Sequence, residues 1–113
     1  MADYQIIASP TFKITLARLL AFLTRKYSES LANETKEQIK LHLLEHLSQN
    51  PLIAPPSERL IELGIKGYRQ ISIPEHNLVY YRVDESKKRV ILLAVMDGRQ
   101  SIEKLLFEVN LLR

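Results

Sequence analysis

The stretch Arg89-Val90-Ile91-Leu92-Leu93-Ala94-Val95-Met96 constrains the fold more than any other part of the chain. After Arg89 it has no polar side chain, and its branched residues mark it as a strand. Neighbouring strand residues point to opposite faces of a sheet. A strand that is apolar at every position therefore needs cover on both sides and belongs in a sheet interior. Whatever else the chain does, it must supply two covering layers.

Both layers are legible. Ser9-Pro10 is a helix-start signal, a hydroxyl cap followed by a residue whose missing N–H costs nothing in the first turn. From Phe12 to Tyr27 the residues Leu16, Leu19, Leu20 and Leu23 recur at helical spacing. Ser28-Glu29-Ser30 breaks that pattern and offers a new cap. A second helix is expected from about Ser30 to Gln49, with Leu31, Ile39, Leu43, Leu44 and Leu47 on its apolar side, until Asn50-Pro51 stops it. The short connection implies an antiparallel helical hairpin. The second cover is an amphipathic helix from Ser101 to Leu112, carrying Ile102, Leu105, Leu106, Val109 and Leu112.

The remaining strands are shorter. Tyr4 to Ala8 reads as one. Tyr68 to Glu85 reads as two more, joined at Pro74-Glu75-His76-Asn77. Alternation assigns Ile71, Ile73, Val79, Tyr81 and Val83 to one packed face, leaving Tyr68, Gln70, Ser72, Leu78, Tyr80 and Arg82 on the other. Arg69 shares the face of the isoleucines and is expected at the sheet margin. Between Leu52 and Lys66, Pro55-Pro56 forbids regular structure locally, and Glu58 to Leu63 is either a turn of helix or an extended segment. The order βααβββα predicts an α+β domain with a small antiparallel sheet, one domain over 1–113.

Composition removes several classes of function. Hydrophobic residues make up 46% and charged residues 26%, which is ordinary for a folded soluble protein. The net charge of +3 is spread over both halves without a basic tail, so it lends little support to nonspecific nucleic-acid binding. The absence of cysteine excludes disulfides, thiolate metal sites and a thiol nucleophile. Met1-Ala2-Asp3-Tyr4 does not begin a secretion signal, and the apolar runs fall short of the ~20 residues that span a bilayer. The expectation is a cytoplasmic protein with no membrane partner and no cofactor.

Three groups of residues could carry chemistry. His42-Leu43-Leu44-Glu45-His46 matches H-x-x-E-H, whose imidazoles one helical turn apart can chelate zinc. No persuasive third ligand accompanies it, Glu108 being a nominal one, so the pair reads first as surface or boundary histidines. His76 beside Asn77 reads as a turn residue, because no partner for a general base is evident. The third group is basic and aromatic: Lys66, Arg69, Arg82 and Arg99, with Tyr68, Tyr80 and Tyr81. Such a set suits either a phosphate or an acidic protein partner.

The segments Gly67-Tyr68-Arg69-Gln70-Ile71-Ser72-Ile73, Leu78-Val79-Tyr80-Tyr81-Arg82-Val83-Asp84 and Val90 to Glu103, with its Asp97-Gly98-Arg99-Gln100-Ser101, resemble the ParE/RelE toxin superfamily of bacterial type II toxin–antitoxin modules. The resemblance covers nearly the whole chain. It implies one of two activities: RelE-like cleavage of mRNA in the ribosome, or ParE-like inhibition of DNA gyrase by binding. The ribonuclease pattern fits poorly. Arg69 suits its first basic position, but the next falls on Ile71 or Ser72, and the arginine expected early in the following strand lands near Leu78. Arg99 suits the later basic position, yet Leu105 and Leu106 stand where an aromatic or imidazole acid/base is wanted. Many relatives carry histidine where this chain has Asp97.

The resemblance therefore implies a gyrase inhibitor without catalytic residues. Arg69, Arg82, Arg99 and Tyr80 are its expected target-binding residues, with a contribution from the last helix. A ribosome-dependent endonuclease is the alternative. The implied partners are a cognate antitoxin, folding a partly disordered segment along hairpin and sheet, and DNA gyrase. A hetero-oligomer with the antitoxin is possible by the same likeness, and no sequence-specific nucleic-acid binding is expected.

Overall fold

A computed structural model describes residues 3–73 and 76–108. Its elements are β1 (Gln5–Ala8), α1 (Pro10–Lys26), α2 (Glu29–Leu47), α3 (Glu58–Glu62), β2 (Arg69–Ile73), β3 (Asn77–Asp84), β4 (Arg89–Asp97) and α4 (Ile102–Glu108). The expected α+β order βααβββα holds, with α3 as an added turn of helix. Glu58 to Leu63 is therefore helical over its first five residues, capped by the Ser57 hydroxyl, which accepts from the Leu60 N–H at 3.3 Å. The part of the C-terminal helix expected beyond Glu108, with Val109 and Leu112, lies outside the described residues, as do Pro74 and Glu75 of the first hairpin turn.

Local chemistry sets the helix boundaries. Ser9 caps α1 by accepting from the Phe12 N–H at 3.0 Å, and Pro10 fills the first helical position. Ser28 caps α2 by accepting from the Leu31 N–H at 3.0 Å, so α2 begins one residue before Ser30. Only Tyr27 and Ser28 separate the helices.

The sheet order is β1-β4-β3-β2. The strand that is apolar on both faces, β4, lies inside, antiparallel to β3 and parallel to β1. The antiparallel meander of β2, β3 and β4 holds as expected, and β1 joins it parallel to β4, so the whole sheet is mixed. β1 leads straight into α1, which continues along β4 in the same direction, with Ser9 against Leu92 and Leu93 and Thr15 against Val95.

Two cores flank the sheet. On one face Ile71, Ile73, Val79, Tyr81, Val90, Leu92 and Val95 pack with Phe12 and Leu19 of α1 and Ile39, Leu43 and Leu47 of α2. On the other, Leu78, Tyr80, Leu93, Ala94 and Met96 pack with Leu60 of α3 and Ile102 and Leu106 of α4. Leu31 and Leu44, read as core from their spacing, are exposed.

A register shift divides β4. Tyr80 pairs with Ala94 but Tyr81 pairs with Leu92, so Leu93 is an extra residue, a β-bulge. Without it, period-two alternation would place Val90, Leu92, Ala94 and Met96 on one face. With it, Val90, Leu92 and Val95 share the hairpin side, while Leu93, Ala94 and Met96 share the other.

The bulge also marks where β1 ends, since the parallel ladder stops at Ala8 opposite Leu92. Beyond that point α1 takes over the polar groups of β4. The Ser9 N–H donates to the Leu92 carbonyl at 3.1 Å and the Ser9 hydroxyl to the Leu93 carbonyl at 3.3 Å. The Thr15 hydroxyl accepts from the Val95 N–H at 3.1 Å and donates to the Phe12 carbonyl at 3.0 Å. Thr15 is only 1% exposed, so water cannot replace it. Thr15→Val keeps the shape but leaves the Val95 N–H buried and unpaired, which costs about 1–3 kcal/mol. Urea denaturation should show that loss for Thr15→Val and a smaller one for Thr15→Ser.

Candidate functional site

A concavity of about 730 Å³ opens where the helical hairpin overhangs the end of β4 and the start of β3. Helical spacing forms its walls. Leu19, Phe22, Leu23 and Lys26 recur at i, i+3, i+4 and i+7 on α1, and Leu31, Glu34, Thr35 and Gln38 repeat the pattern on α2. Tyr27 closes the hairpin tip. His76, Asn77, Asp97, Arg99 and Gln100 form the sheet-side wall. Phe22, Tyr27 and Leu31 are exposed here, and the Lys26 ammonium stands 5.5 Å from the Phe22 ring centre and 5.7 Å from that of Tyr27. The groove thus has an apolar wall and a rim of mixed charge, which suits an amphipathic partner.

The turn Asp97-Gly98-Arg99 is held from several sides. The Gly98 N–H donates to the His76 carbonyl at 2.6 Å, an approach so close that a Cβ at position 98 would lie 3.2 Å from that oxygen. Arg59 reaches over from α3 and donates to the Gly98 carbonyl at 3.4 Å. The Asp97 carboxylate accepts from the Arg99 N–H at 2.9 Å, from Nε at 2.9 Å and from Nη2 at 2.7 Å. This two-pronged pairing fixes the orientation of the guanidinium, leaving Nη1 directed at no partner among the described residues. The hydrogen bonds from the Arg99 side chain, above all, hold the Asp97 pKa down to about 2, against the opposing effect of partial burial.

The structure does not gather the four residues expected to face a target. Arg99 is exposed at the groove. Arg69, on the edge strand, turns inward and donates from Nη1 to the Ala54 carbonyl at 2.6 Å, tying down the segment before α3. Tyr81, opposite Arg69 on the same face, fixes the same segment by donating to the Pro51 carbonyl at 2.7 Å. Arg82 is half-buried opposite Ile91, on the face of α3 and α4 and about 20 Å along the sheet from Arg99 at ~3.3 Å per residue.

Tyr80 requires a correction. It is 0% exposed and packs inside the second core, because the face that it shares with Arg82 is roofed by α3 and α4. It therefore offers no surface to a target. Its hydroxyl has no hydrogen-bond partner among the described residues, although the Arg59 guanidinium lies close by. Burial raises its pKa, with Arg59 opposing.

Sequence reasoning overlooked Phe22, Lys26, Tyr27 and Arg59. Phe22 and Tyr27 lie off the Leu16–Leu19–Leu23 stripe of α1, and apolar residues off the core stripe were the available signal. Leu106, where an acid/base was sought, is fully buried, and Leu105 is half-buried. Glu108, the nominal third ligand for the histidine pair, contacts Arg18 at 2.9 Å instead. Among the described residues no three acidic or histidine side chains cluster to hold a metal.

The family model for the ParE toxin of type II toxin–antitoxin systems, parDE, matches residues 6–102. Among solved structures, the chromosomal ParDE toxin–antitoxin system of P. aeruginosa superposes with a TM-score of 0.68 at 15% identity, covering 83% of this chain and 95% of that one. The toxin–antitoxin complex RelBE2 of Mycobacterium tuberculosis gives 0.56 at 18% identity, covering 84% and 98%. No curated protein matches the chain significantly.

Two outcomes test the site. The Asp97 carboxyl is more acidic folded than its ordinary 3.8, so its contribution to stability is complete above about pH 4 and is lost as pH falls through about 2. Acid titration monitored by denaturant melts should show that loss in the native chain and a shallower one in Asp97→Asn. Tyr80→Phe removes a buried hydroxyl that has no hydrogen-bond partner among the described residues, so thermal melts should show a stability equal to or above that of the native chain.

Proposed function

The chain belongs to the ParE toxin family of type II toxin–antitoxin systems, and on that premise we propose that it blocks DNA gyrase by binding and is neutralised by a cognate antitoxin. The observation that carries this reading is the dispersal of its cationic groups. A phosphoryl-transfer centre needs donors converging on the developing charge and a group to protonate the leaving oxygen. Here Arg69 is committed to Ala54, Arg82 lies on the opposite face, and α4 offers Leu105 and Leu106. A binding function makes no such demand.

Arg99 is the leading target contact, since it is exposed, oriented by Asp97 and set at the groove mouth. Arg82 is the second, and Arg69 supports the loop behind the sheet edge. The antitoxin would lay an amphipathic segment into the groove, covering Phe22, Tyr27 and Leu31 and folding as it binds. Toxin and target would meet in the cytoplasm; among the described residues no helix is long and apolar enough to cross a membrane.

The second reading, a ribosome-dependent mRNA endonuclease, draws on one observation: His76 and Arg99 line the same groove. Two assays separate the readings. Purified toxin should inhibit gyrase supercoiling at micromolar concentration, and Arg99→Gln should weaken that inhibition about tenfold, as expected for an interface anchor worth about 1.4 kcal/mol. Folded toxin that leaves supercoiling untouched, while primer extension maps codon-phased cuts in translated mRNA, would replace the first reading by the second.

A further inference from the structure

The histidine pair of α2 takes no part in the site described above. Both residues sit on one unbroken helix at i and i+4, both are half-buried, and their ring centres are 4.3 Å apart with planes inclined at 47°. The cap at Ser28, upstream, and the buried Leu43 and Leu47, between and beyond the two rings, hold the helix that carries them. The backbone spacing is therefore set before any ligand arrives.

We propose that His42 and His46 form a two-point chelate for a divalent transition-metal ion of the zinc class. Two imidazoles bound to zinc at ~2.0–2.1 Å in tetrahedral separation place their ring centres about 5 Å apart. The observed ring centres lie within about 1 Å of that separation. Water completes the coordination, since Glu108 is held by Arg18 and no third protein ligand joins the pair among the described residues. The site is accordingly a clamp across one turn of helix, with no hydrolytic machinery.

The clamp acts where the fold is tied together. The final turns of α2 bury Leu43 and Leu47 in the first core, and the Ser48 carbonyl just beyond accepts from the Tyr4 N–H at 2.7 Å at the entry to β1. An ion bound to the folded helix and not to the unfolded chain raises stability by mass action.

Isothermal titration of the full, untagged chain with ZnCl₂ in a non-chelating buffer tests the proposal. The expected result is one ion per chain at micromolar affinity, at least tenfold weaker in His46→Gln and unchanged in His76→Gln. Near saturation the melting temperature should rise by about 5 °C in the native chain and stay fixed in the double variant His42→Gln/His46→Gln. Circular dichroism of the metal-free variants confirms that they are folded, and His46→Gln alone carries the test if the double variant is not. No binding up to millimolar Zn²⁺, an equal titration in His46→Gln, or loss of binding in His76→Gln would overturn the assignment.

Discussion

The structure depends on how α1 takes over the outer edge of β4. β1 is only four residues long and leaves the outer edge of the second half of β4 without a strand beside it, although β3 pairs along the inner edge. An interior apolar strand with an unpaired backbone would be costly, because each buried N–H or carbonyl left without a partner forfeits its hydration. Two hydroxyls meet that demand. Ser9 serves the Leu93 carbonyl while capping α1, and Thr15 serves the Val95 N–H from nearly two turns further along. The same contacts set the position of α1 on the sheet, hence that of α2, and hence the groove between hairpin and sheet end.

How much of this could be read beforehand followed from periodicity. The helices, the strands and the two-sided cover of β4 are consequences of apolar spacing along one chain, and spacing is local information. The parallel pairing of β1 was not legible, since it follows from the docking of Ser9 and Thr15 on carbonyl and amide groups some 80 residues away. The burial of Tyr80 was half legible. Alternation gave its face correctly, but the extent of the roof above it depended on α3, whose Glu58–Leu63 segment was ambiguous between helix and extended chain. At the candidate site Arg99 stood out from its place after the buried strand, whereas the role of Asp97 as its orienting partner required the fold of the turn.

The cationic residues show why a residue list is a weaker guide than a surface. Arg69, Arg82 and Arg99 look equivalent in sequence, yet one is a strut for the 51–57 segment, one lies on the α3 and α4 face, and one is aimed at the groove. Because Arg99 is already paired with Asp97, the turn presents little net charge. What it offers is a directional donor whose contacts should depend on geometry more than on long-range attraction.

The bulge at Leu93 makes β4 two strands end to end, with opposite phase. That gives the chain an unusual sensitivity to register. Straightening β4 so that Leu93 pairs regularly with Tyr80 would leave every downstream side chain chemically apolar and still in a strand, yet would turn Val95 towards α3 and α4 and Met96 towards the hairpin. It would also carry the amide that Thr15 serves out of reach. Hydropathy would not register the change, whereas the pairing of helix and sheet would be lost. In this chain the counting of residues along β4 carries as much information as their identity.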